Sequence, residues 1–392
     1  MKIGIVLSTT PGYSETFFTS KIKGLQSNGI EVILFVQRKS NDFNLCKVVK
    51  FPKVYKKYPL FQIGLFVWVF LGLIPYFSNV WSYVKLEQKQ RTSFSQTIKN
   101  IYLNSTLLKQ QLDWLHFGFA TQAIGSELVA KAIGAKMAVS FRGFDIAIYP
   151  LKNNNCYQLL WRQLDKVHTI SDDLLNLAYD LGLPNTIPVE KITPAIDASF
   201  FSASKKVFNI PSNKIRMLSI ARLHWKKGFI EVLEALSILN KKGYDFEYRI
   251  VGSGIENERI AYAIHQLNLQ DKVFMLGKMD RDNVVKEYAQ SHLFIQYSIS
   301  EGFCNAVLEA QSMGLLCIVS DAEGLSENVI HNKTGWVVPK YQPEALAKKL
   351  VEVIELSELE KQQISQNAIN RVKNLFTIEQ QQQSFVNFYK GS

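Results

Sequence analysis

Residues 300–317, Ser-Glu-Gly-Phe-Cys-Asn-Ala-Val-Leu-Glu-Ala-Gln-Ser-Met-Gly-Leu-Leu-Cys, place two carboxylates, Glu301 and Glu309, eight positions apart. The apolar segment 292–298 predicts a buried strand, and the apolar spacing of Asn305–Met313 predicts a helix that ends at the next glycine. Glu301 is therefore expected in a loop at the carboxyl end of a strand, where open α/β sheets bind ligands. Two acids there can accept hydrogen bonds from several hydroxyl groups, and a helix N-terminus offers N–H groups to an anion. The pattern predicts a sugar-nucleotide site.

A second candidate element lies upstream in residues 215–229, Ile-Arg-Met-Leu-Ser-Ile-Ala-Arg-Leu-His-Trp-Lys-Lys-Gly-Phe. The apolar run Met217–Ala221 predicts a strand, with Arg222 at its end and Lys227 on the loop before a helix. Arginine offers a planar fork of donors to phosphate and lysine a compact point charge, so together they can neutralise a leaving diphosphate. Surface glutamates and solvated basic loops are common, so neither element decides the function alone. A solvated position is the interpretation we adopt for Lys226.

The order of these elements along the chain resembles the retaining glycosyltransferases of family 4, which have the GT-B fold. The matching segments are Ala221-Arg222-Leu223…Lys227-Gly228, Val251-Gly252-Ser253-Gly254, Val273-Phe274-Met275-Leu276-Gly277, Glu301-Gly302-Phe303…Glu309-Ala310 and Glu327…Thr334-Gly335-Trp336-Val337-Val338-Pro339. Each segment alone is weakly specific, since the Gly252 motif, for example, lacks the third glycine of a dinucleotide fingerprint. The combination is highly specific and covers most of the C-terminal half.

The N-terminal half resembles the same family more loosely. Its first loop, Pro11-Gly12-Tyr13-Ser14-Glu15-Thr16-Phe17, resembles the Ser-Glu-Thr variant found in members that assemble polysaccharides. In Asp113-Trp-Leu-His116-Phe-Gly-Phe, a glycine stands where the family has a second histidine. In Phe141-Arg142-Gly-Phe-Asp145, Arg142 replaces a histidine. His116, Arg142 and Asp145 are therefore acceptor-side candidates, but the roles of the family's histidines do not transfer to them.

The resemblance implies an α/β protein of the GT-B fold, with two Rossmann-like domains facing each other across a cleft. A length of 392 residues suits two domains, and apolar runs that alternate with helical patterns favour parallel sheets. We expect an acceptor-side domain over residues 1–205, with an apolar membrane-interface insertion at about 58–92, and a nucleotide-sugar-binding domain over 206–376. The linker is predicted at Ser202–Ile210, and residues 377–392 are expected to form a helix that crosses back to the first domain.

The resemblance also implies roles for individual residues. The catalytic candidates are Arg222 and Lys227, which would neutralise the leaving diphosphate, and Glu301, which would hydrogen-bond sugar hydroxyls. Glu309 would accept hydrogen bonds from the ribose, while backbone amides after Glu301 and near Gly324–Ser326 would support the sugar or phosphate. Glu323 departs from the glycine pair that the family has at this point. The donor-binding candidates are Gly12, Gly252, Gly302, Phe303, Cys304, Asn305, Glu309, Gly324, Leu325 and Ser326.

These features predict a retaining glycosyltransferase of the hexosyltransferase type. It would move a sugar from a nucleotide-diphosphate donor to a glycan acceptor, which we expect to be lipid-linked, for a cell-surface polysaccharide such as capsule or O-antigen. No metal or other cofactor is expected, because no Asp-x-Asp lies at a strand end and the two basic residues can take the place of a metal. The alternatives are a sugar-nucleotide epimerase of the same fold and a non-catalytic membrane-associated scaffold. A nicotinamide oxidoreductase is disfavoured, because Gly12 lacks further glycines at dinucleotide spacing.

The chain is basic, with a formal net charge of +11, and the excess is concentrated between Arg38 and Lys57 and resumes at Lys85. Between these basic stretches, Leu60–Phe77 carries no charge. Three interpretations compete: a membrane-spanning helix, for which the run is short; a buried core helix; and an interfacial hairpin whose aromatics and basic shoulders suit the headgroups of an anionic membrane, which we favour. Nucleic-acid binding is disfavoured, because the sequence has no recognition-helix, zinc or stacking-sheet pattern.

The expected compartment follows from the cysteines and the N-terminus. The four cysteines have neither metal-ligand spacing nor a disulfide pattern, which suits reduced thiols in the cytoplasm; they are Cys46, Cys156, Cys304 and Cys317. The first apolar run is too short for a signal peptide and enters Pro11-Gly12 without a cleavage pattern. We therefore expect a cytoplasmic protein that is peripherally associated with the inner face of the cytoplasmic membrane.

Overall fold

The computed structural model describes residues 1–12, 16–40, 42–55, 57–202 and 214–391. Within these ranges the chain divides into two compact units, one formed by Met1–Ile192 with Gln381–Ser392 and the other by Thr193–Gln380. Most of the predicted linker, residues 203–210, lies outside the described ranges, as do Tyr13, Ser14 and Glu15 of the first loop. The domain limits at 205 and 376 stay predictions.

The first unit is built on a parallel sheet, which has seven strands among the described residues, in the order β3-β2-β1-β4-β5-β6-β7. The strands are β1 (Lys2–Thr9), β2 (Glu31–Arg38), β3 (Lys47–Lys50), β4 (Trp114–Phe117), β5 (Lys136–Phe141), β6 (Lys166–Thr169) and β7 (Val189–Lys191). The helices are α1 (Thr16–Ser27), α2 (Pro59–Leu71), α3 (Phe77–Lys89), α4 (Phe94–Leu108), α5 (Val129–Ala132), α6 (Tyr149–Lys152), α7 (Gln158–Trp161) and α8 (Asp172–Asp180). Strand interiors such as residues 3–7 are buried, because a parallel sheet covered on both faces needs apolar side chains on both sides.

The second unit has a parallel sheet with six strands among the described residues, in the order β10-β9-β8-β11-β12-β13. The strands are β8 (Ile215–Ile220), β9 (Phe246–Val251), β10 (Val273–Gly277), β11 (Leu293–Gln296), β12 (Leu316–Ser320) and β13 (Trp336–Val338). The helices are α9 (Phe229–Lys241), α10 (Asn257–Gln266), α11 (Arg281–Gln290), α12 (Asn305–Ser312), α13 (Pro343–Glu355) and α14 (Glu358–Leu375). The strand order reverses between β8 and β11, which is the point where open sheets form a ligand crevice at their carboxyl ends.

The local elements predicted around the two motifs are confirmed to within two residues. The strand before Arg222 is β8, the strand before Glu301 is β11, and the helix that carries Glu309 is α12. Differences of one or two residues at the ends of elements are normal, because helix and strand termini fray.

The last helix, α15 (Ile378–Lys390), begins in the second unit and completes the core of the first. Its Phe385, Val386, Phe388 and Tyr389 are buried in a cluster with apolar side chains of β1, β2 and α1. Gln382 lies so close to Gly24 of α1 that a Cβ at Gly24 would overlap with it. The first unit therefore depends on the end of the chain for part of its core.

The uncharged run Leu60–Phe77 forms two helices rather than one. The first, α2, ends at Gly72, and a short 3-10 turn, Ile74–Tyr76, leads into α3. In the described part of the chain, no single helix is long and apolar enough to cross a membrane, although Pro59–Leu71 and Ile74–Lys89 meet the criteria together as a pair bent by 51°. The helix α2 buries a single side chain, Val69, so the interpretation as a core helix does not fit the structure.

Candidate functional site

Two loops of the second unit lie side by side at the carboxyl ends of β8 and β11. The backbone N–H of Ile299 donates to the carbonyl of Lys226 at 2.7 Å, which joins the loop after β8 to the loop after β11. Gly228 permits this approach: its φ of 63° is left-handed, and a Cβ there would overlap with the carbonyl oxygen of Tyr297. The sequence thus folds so that basic and acidic side chains, distant along the chain, meet at the switch point of the sheet.

Lys227 and Glu301 form an ion pair at this point. The Lys227 ammonium donates to Oε2 of Glu301, and the two side chains are 15% and 16% exposed. The Ser298 hydroxyl donates to the same carboxylate oxygen at 3.3 Å. Burial disfavours the charged lysine, but the Glu301 carboxylate outweighs it, so the pKa of Lys227 is raised. Lys227 is therefore a permanent cation at neutral pH.

Arg222 is exposed just beyond the end of β8, close enough for its charge to act on the pKa of Lys227. Its loop is held by the turn after β9, because the N–H of Leu223 donates to the carbonyl of Ser253 at 3.0 Å. A Cβ at Gly252 would overlap with the carbonyl of Ala221, and its φ is 147°. Gly252, predicted as a donor-binding residue, thus allows the close packing that positions Arg222.

Glu323 holds the backbone of Glu301, a relationship that the sequence analysis missed. Its Oε2 accepts a hydrogen bond from the Glu301 N–H at 2.7 Å, and its Oε1 lies 3.4 Å from the Lys340 ammonium. Lys340 also donates to the carbonyl of Ile299 at 3.2 Å. Glu323 and Lys340, which come from two other segments, therefore fix the loop that carries Glu301. The signal in the sequence was the departure of Glu323 from the family's glycine pair.

Glu309 lies in α12 and accepts a hydrogen bond at 3.0 Å from the hydroxyl of Tyr288, whose oxygen also lies 3.1 Å from the carbonyl oxygen of Ala306. Burial raises the pKa of Glu309 to about 7, although the Tyr288 hydrogen bond and the charge of Arg281 oppose the increase. The carboxyl group is therefore poised to change its ionisation near neutral pH. Tyr288 is a second functional candidate that the spacing of the glutamates could not reveal.

The segment between Glu301 and Glu309 serves partly as internal support. Cys304 and Asn328 form a reciprocal pair, since each donates a hydrogen bond to the other at 3.0 Å. Burial raises the pKa of the Cys304 thiol to about 12, so the side chain stays neutral. Phe303 packs against Phe376 with ring centroids 5.8 Å apart. Of the predicted donor-binding residues here, Gly302 and Asn305 are half-buried at the start of α12.

The last group of predicted donor-binding residues lies in a 3-10 turn, Glu323–Asn328. Gly324 and Leu325 are buried, and Ser326 is half-buried. The N–H of Leu325 donates to the carbonyl of Ala322 at 2.8 Å, so this amide is used within the turn. The turn brings Glu323, rather than the Leu325 amide, to the loop of Glu301.

The predicted site residues of the first unit differ in their exposure to solvent. Gly12 follows β1 and is exposed, whereas His116 in β4 is completely buried. The His116 ring is hydrogen-bonded to Tyr389 and Ser140, each at 2.7 Å, and lies 3.3 Å from Nζ of buried Lys21. Burial lowers the pKa of both His116 and Lys21. This network joins α15 and α1 to the sheet, so the observed partners of His116 are structural.

Arg142 and Asp145 follow β5. The Arg142 guanidinium lies 4.1 Å from the ring centroid of Phe17 and 4.7 Å from that of Phe18. Asp145 is fully buried and accepts hydrogen bonds from the N–H groups of Arg142 at 3.0 Å and Ala120 at 3.1 Å. Burial raises the pKa of Asp145. The acidic side chain thus organises the loop, and Arg142 is held over aromatic rings. Across the described residues of both units, no cluster of three or more His, Cys, Asp or Glu could hold a metal ion.

Comparisons with known proteins agree with this architecture. Residues 200–371 match the family model described as Glycosyl transferases group 1. The chain is 26% identical to the putative colanic acid biosynthesis glycosyltransferase WcaL of Escherichia coli (strain K12), over 96% of each chain. It is 28% identical to the amylovoran biosynthesis glycosyltransferase AmsK of Erwinia amylovora, over 59% of this chain and 58% of AmsK.

Solved structures match the chain over almost its full length. Anabaena Alr3699/HepE in complex with UDP superposes with a TM-score of 0.75 at 15% identity, covering 100% of both chains. A glycosyltransferase from Rickettsia africae ESF-5 gives a TM-score of 0.69 at 21% identity, covering 99% of this chain and 97% of the other. The predicted GT-B fold is confirmed, with two parallel-sheet α/β units.

Proposed function

We propose that the protein is a retaining glycosyltransferase of polysaccharide biosynthesis, which transfers a sugar from a nucleotide-diphosphate donor to a glycan acceptor. One observation carries the proposal: Arg222, Lys227 and Glu301 converge at the switch point of the second sheet, with Glu309 on the next helix. The names of the relatives, which refer to colanic acid and amylovoran biosynthesis, support the polysaccharide assignment. Retention of configuration rests on the family resemblance of the motifs.

The donor diphosphate would bind to Arg222 and Lys227. An ammonium has three N–H donors, so the hydrogen bond from Lys227 to Glu301 leaves donors for phosphate oxygens. Arg222 is exposed and offers the planar fork that suits phosphate. The Glu309 carboxylate would accept hydrogen bonds from the ribose, since it lies on the helix that follows the Glu301 loop.

Catalysis would depend mainly on charge. As the bond between the sugar carbon and the diphosphate oxygen breaks, negative charge grows on the leaving group and positive charge on the sugar. Preorganised cations at the diphosphate stabilise this transition state more than the ground state. Lys227 is held by Glu301, and the backbone next to Arg222 is held by the turn after β9, so both residues are anchored at the carboxyl end of β8. We propose that these cations replace a metal ion and that no cofactor takes part.

A panel of nucleotide sugars screened by thermal shift tests the donor assignment, with EDTA present throughout. A ligand at a hundredfold its dissociation constant adds about 2.7 kcal/mol to the free energy of unfolding. We expect one or a few diphosphate sugars, and their free nucleoside diphosphate, to stabilise the protein. The absence of any shift would favour a non-catalytic scaffold. Epimerised free donor, formed without an acceptor, would identify an epimerase instead.

A further inference from the structure

The two helices α2 and α3 expose many large apolar side chains to solvent. Leu60 is 84%, Trp68 71% and Phe77 66% exposed. The full apolar face consists of Leu60, Phe61, Ile63, Val67, Trp68, Leu71, Ile74, Phe77 and Trp81, all of which are exposed. Single exposed apolar residues are normal on a protein surface, but these nine lie within residues 60–81. Such a concentration indicates an interaction surface.

The opposite side of the helix pair is anchored to the first unit. Phe66 stacks between Phe70 and Tyr102, with ring centroids 4.6 Å and 5.2 Å away. Val69 is buried, and so is Tyr83, whose hydroxyl lies 3.4 Å from the Asn104 side-chain amide. The apolar face is therefore held in a fixed orientation by its own inner contacts.

The exposed charges in the stretch of sequence that contains the apolar face have one sign. Between Asp42 and Asp113 the sequence contains a single acidic residue, Glu87. This residue is buried and accepts a hydrogen bond from Asn100 at 2.9 Å. The exposed charged residues in the same stretch are all basic; they are Lys47, Lys50, Lys53, Lys57, Lys85, Lys89, Arg91 and Lys99. Among the described residues of this stretch, the surface thus combines apolar and cationic groups without an exposed acid.

We propose that this face binds the surface of an anionic lipid bilayer, with α2 and α3 lying in the plane of the headgroups. Aromatic and aliphatic side chains would enter the interface, and the flanking lysines would contact anionic headgroups. A symmetric dimer through the same face would bring like charges together, because both copies would present only basic residues. A span through the bilayer would expose the buried Tyr83 and Glu87 and break their contacts with α4 and its neighbours. The proposal is independent of the donor site.

Flotation of the full-length protein with vesicles tests the proposal. We expect binding to vesicles of phosphatidylcholine with one-third phosphatidylglycerol, and weak binding to phosphatidylcholine alone. Replacing Leu60, Trp68 and Phe77 together with serine should reduce the partition coefficient by at least tenfold. The matched control replaces Leu151, Ile255 and Leu359, comparably exposed elsewhere, with serine and should bind normally. Both variants should melt within about 2 °C of the wild type, because exposed side chains contribute little to stability.

A second variant keeps the test decisive should the apolar variant unfold. Replacing Lys53, Lys57 and Lys89 with glutamine removes exposed charge only, and each lysine near an anionic surface accounts for about fivefold in binding. The affinity should also fall as salt screens the attraction. Wild-type protein that never floats would overturn the proposal, and so would equal flotation of the apolar and control variants. A dimer in sedimentation that is lost in the apolar variant would assign the face to a second copy instead.

Discussion

The side chains of Lys227 and Glu301, 74 positions apart in the chain, form a direct ion pair at the switch point of the second sheet. Each charge is mostly shielded from water, so neither can be removed without leaving the other partly buried and uncompensated. Lys227, which is proposed to bind the diphosphate, and Glu301, which is proposed to bind the sugar, are thus in contact before any substrate binds. A mutation of either residue is therefore expected to disturb the position and the charge balance of the other.

The two cations should differ in their effect on stability. Arg222→Ala and Lys227→Ala should each lower turnover at saturating donor by roughly a hundredfold to a thousandfold, because each removes a charge that faces the leaving group. Lys227→Ala should also destabilise the fold by about 3 kcal/mol, since it strands the Glu301 carboxylate. Arg222→Ala should melt like the wild type, because Arg222 is exposed. Turnover and melting temperature give the answer, with Lys226→Ala as the matched control; near-normal turnover in the Arg222 variant contradicts the assignment.

The two glutamates should separate kinetically. Glu301→Gln should chiefly lower turnover, because the sugar it contacts changes shape in the transition state. Glu309→Gln should chiefly weaken binding of the free nucleoside diphosphate, because the ribose does not react. Calorimetry with the diphosphate product measures the second effect directly. Equal loss of product affinity in both variants would refute this division of roles.

Nucleotide affinity should depend on pH through Glu309. Burial raises the pKa of this group to about 7, and the ribose hydroxyls require the ionised carboxylate as acceptor. Affinity should therefore rise as pH increases from 6 to 8, with release of a proton on binding. The stability of the ligand-free protein should change in the opposite direction. Because the pKa of Glu309 is higher in the folded than in the unfolded state, ionisation of this group lowers the free energy of unfolding as pH rises from the pKa of the unfolded chain towards 7. Calorimetry in buffers of different ionisation enthalpy detects the proton, and Glu309→Gln should abolish the dependence.

Glu323 should act by positioning Glu301. Glu323→Ala removes both the acceptor for the Glu301 N–H and the partner of Lys340, and we expect about a tenfold loss of turnover, the scale of one hydrogen bond to a charged group. Glu323→Gln keeps an oxygen acceptor and should recover most of the activity. Binding of free nucleoside diphosphate should stay normal in both, which distinguishes positioning from direct donor contact. A loss of product affinity equal to that of Glu309→Gln would contradict this role.

Buried Lys21 should limit stability at neutral pH. Burial, aided by the charge of Arg142, lowers the pKa of Lys21, so the folded state favours the neutral amine more than the unfolded chain does. The contribution of Lys21 to the free energy of unfolding should therefore fall as pH decreases from the ordinary lysine pKa of about 10 towards neutral. Lys21→Met should raise the free energy of unfolding at pH 7 and weaken the dependence between pH 7 and 9, as urea titrations can measure. Tyr389→Phe, which leaves His116 short of a partner, should instead cost about 1–3 kcal/mol.

Sequence patterns predicted the strands and helices that carry the donor-side candidates, because each motif sits where a strand ends. The apolar runs before Arg222 and Glu301 identify β8 and β11, and parallel strands bring their carboxyl ends to one edge. Neither the Lys227–Glu301 pair nor the role of Glu323 could be predicted, since both depend on loop geometry. Donor binding by Gly252 stays a prediction, and the structure adds its close approach to the carbonyl of Ala221. In the first unit, the burial of His116 could not be predicted, because it depends on contacts such as the hydrogen bond with Tyr389, which lies 273 positions away.

The crossing of α15 into the first unit has a consequence for biosynthesis. The second unit is formed by one continuous stretch of chain, so it can fold as soon as that stretch has left the ribosome. The first unit, although most of it is translated earlier, lacks Phe385, Phe388 and Tyr389 until residues 381–391 emerge. The first unit should therefore complete its core only after residues 381–391 have been synthesised. Expressed without residues 381–391, it should expose apolar surface and aggregate.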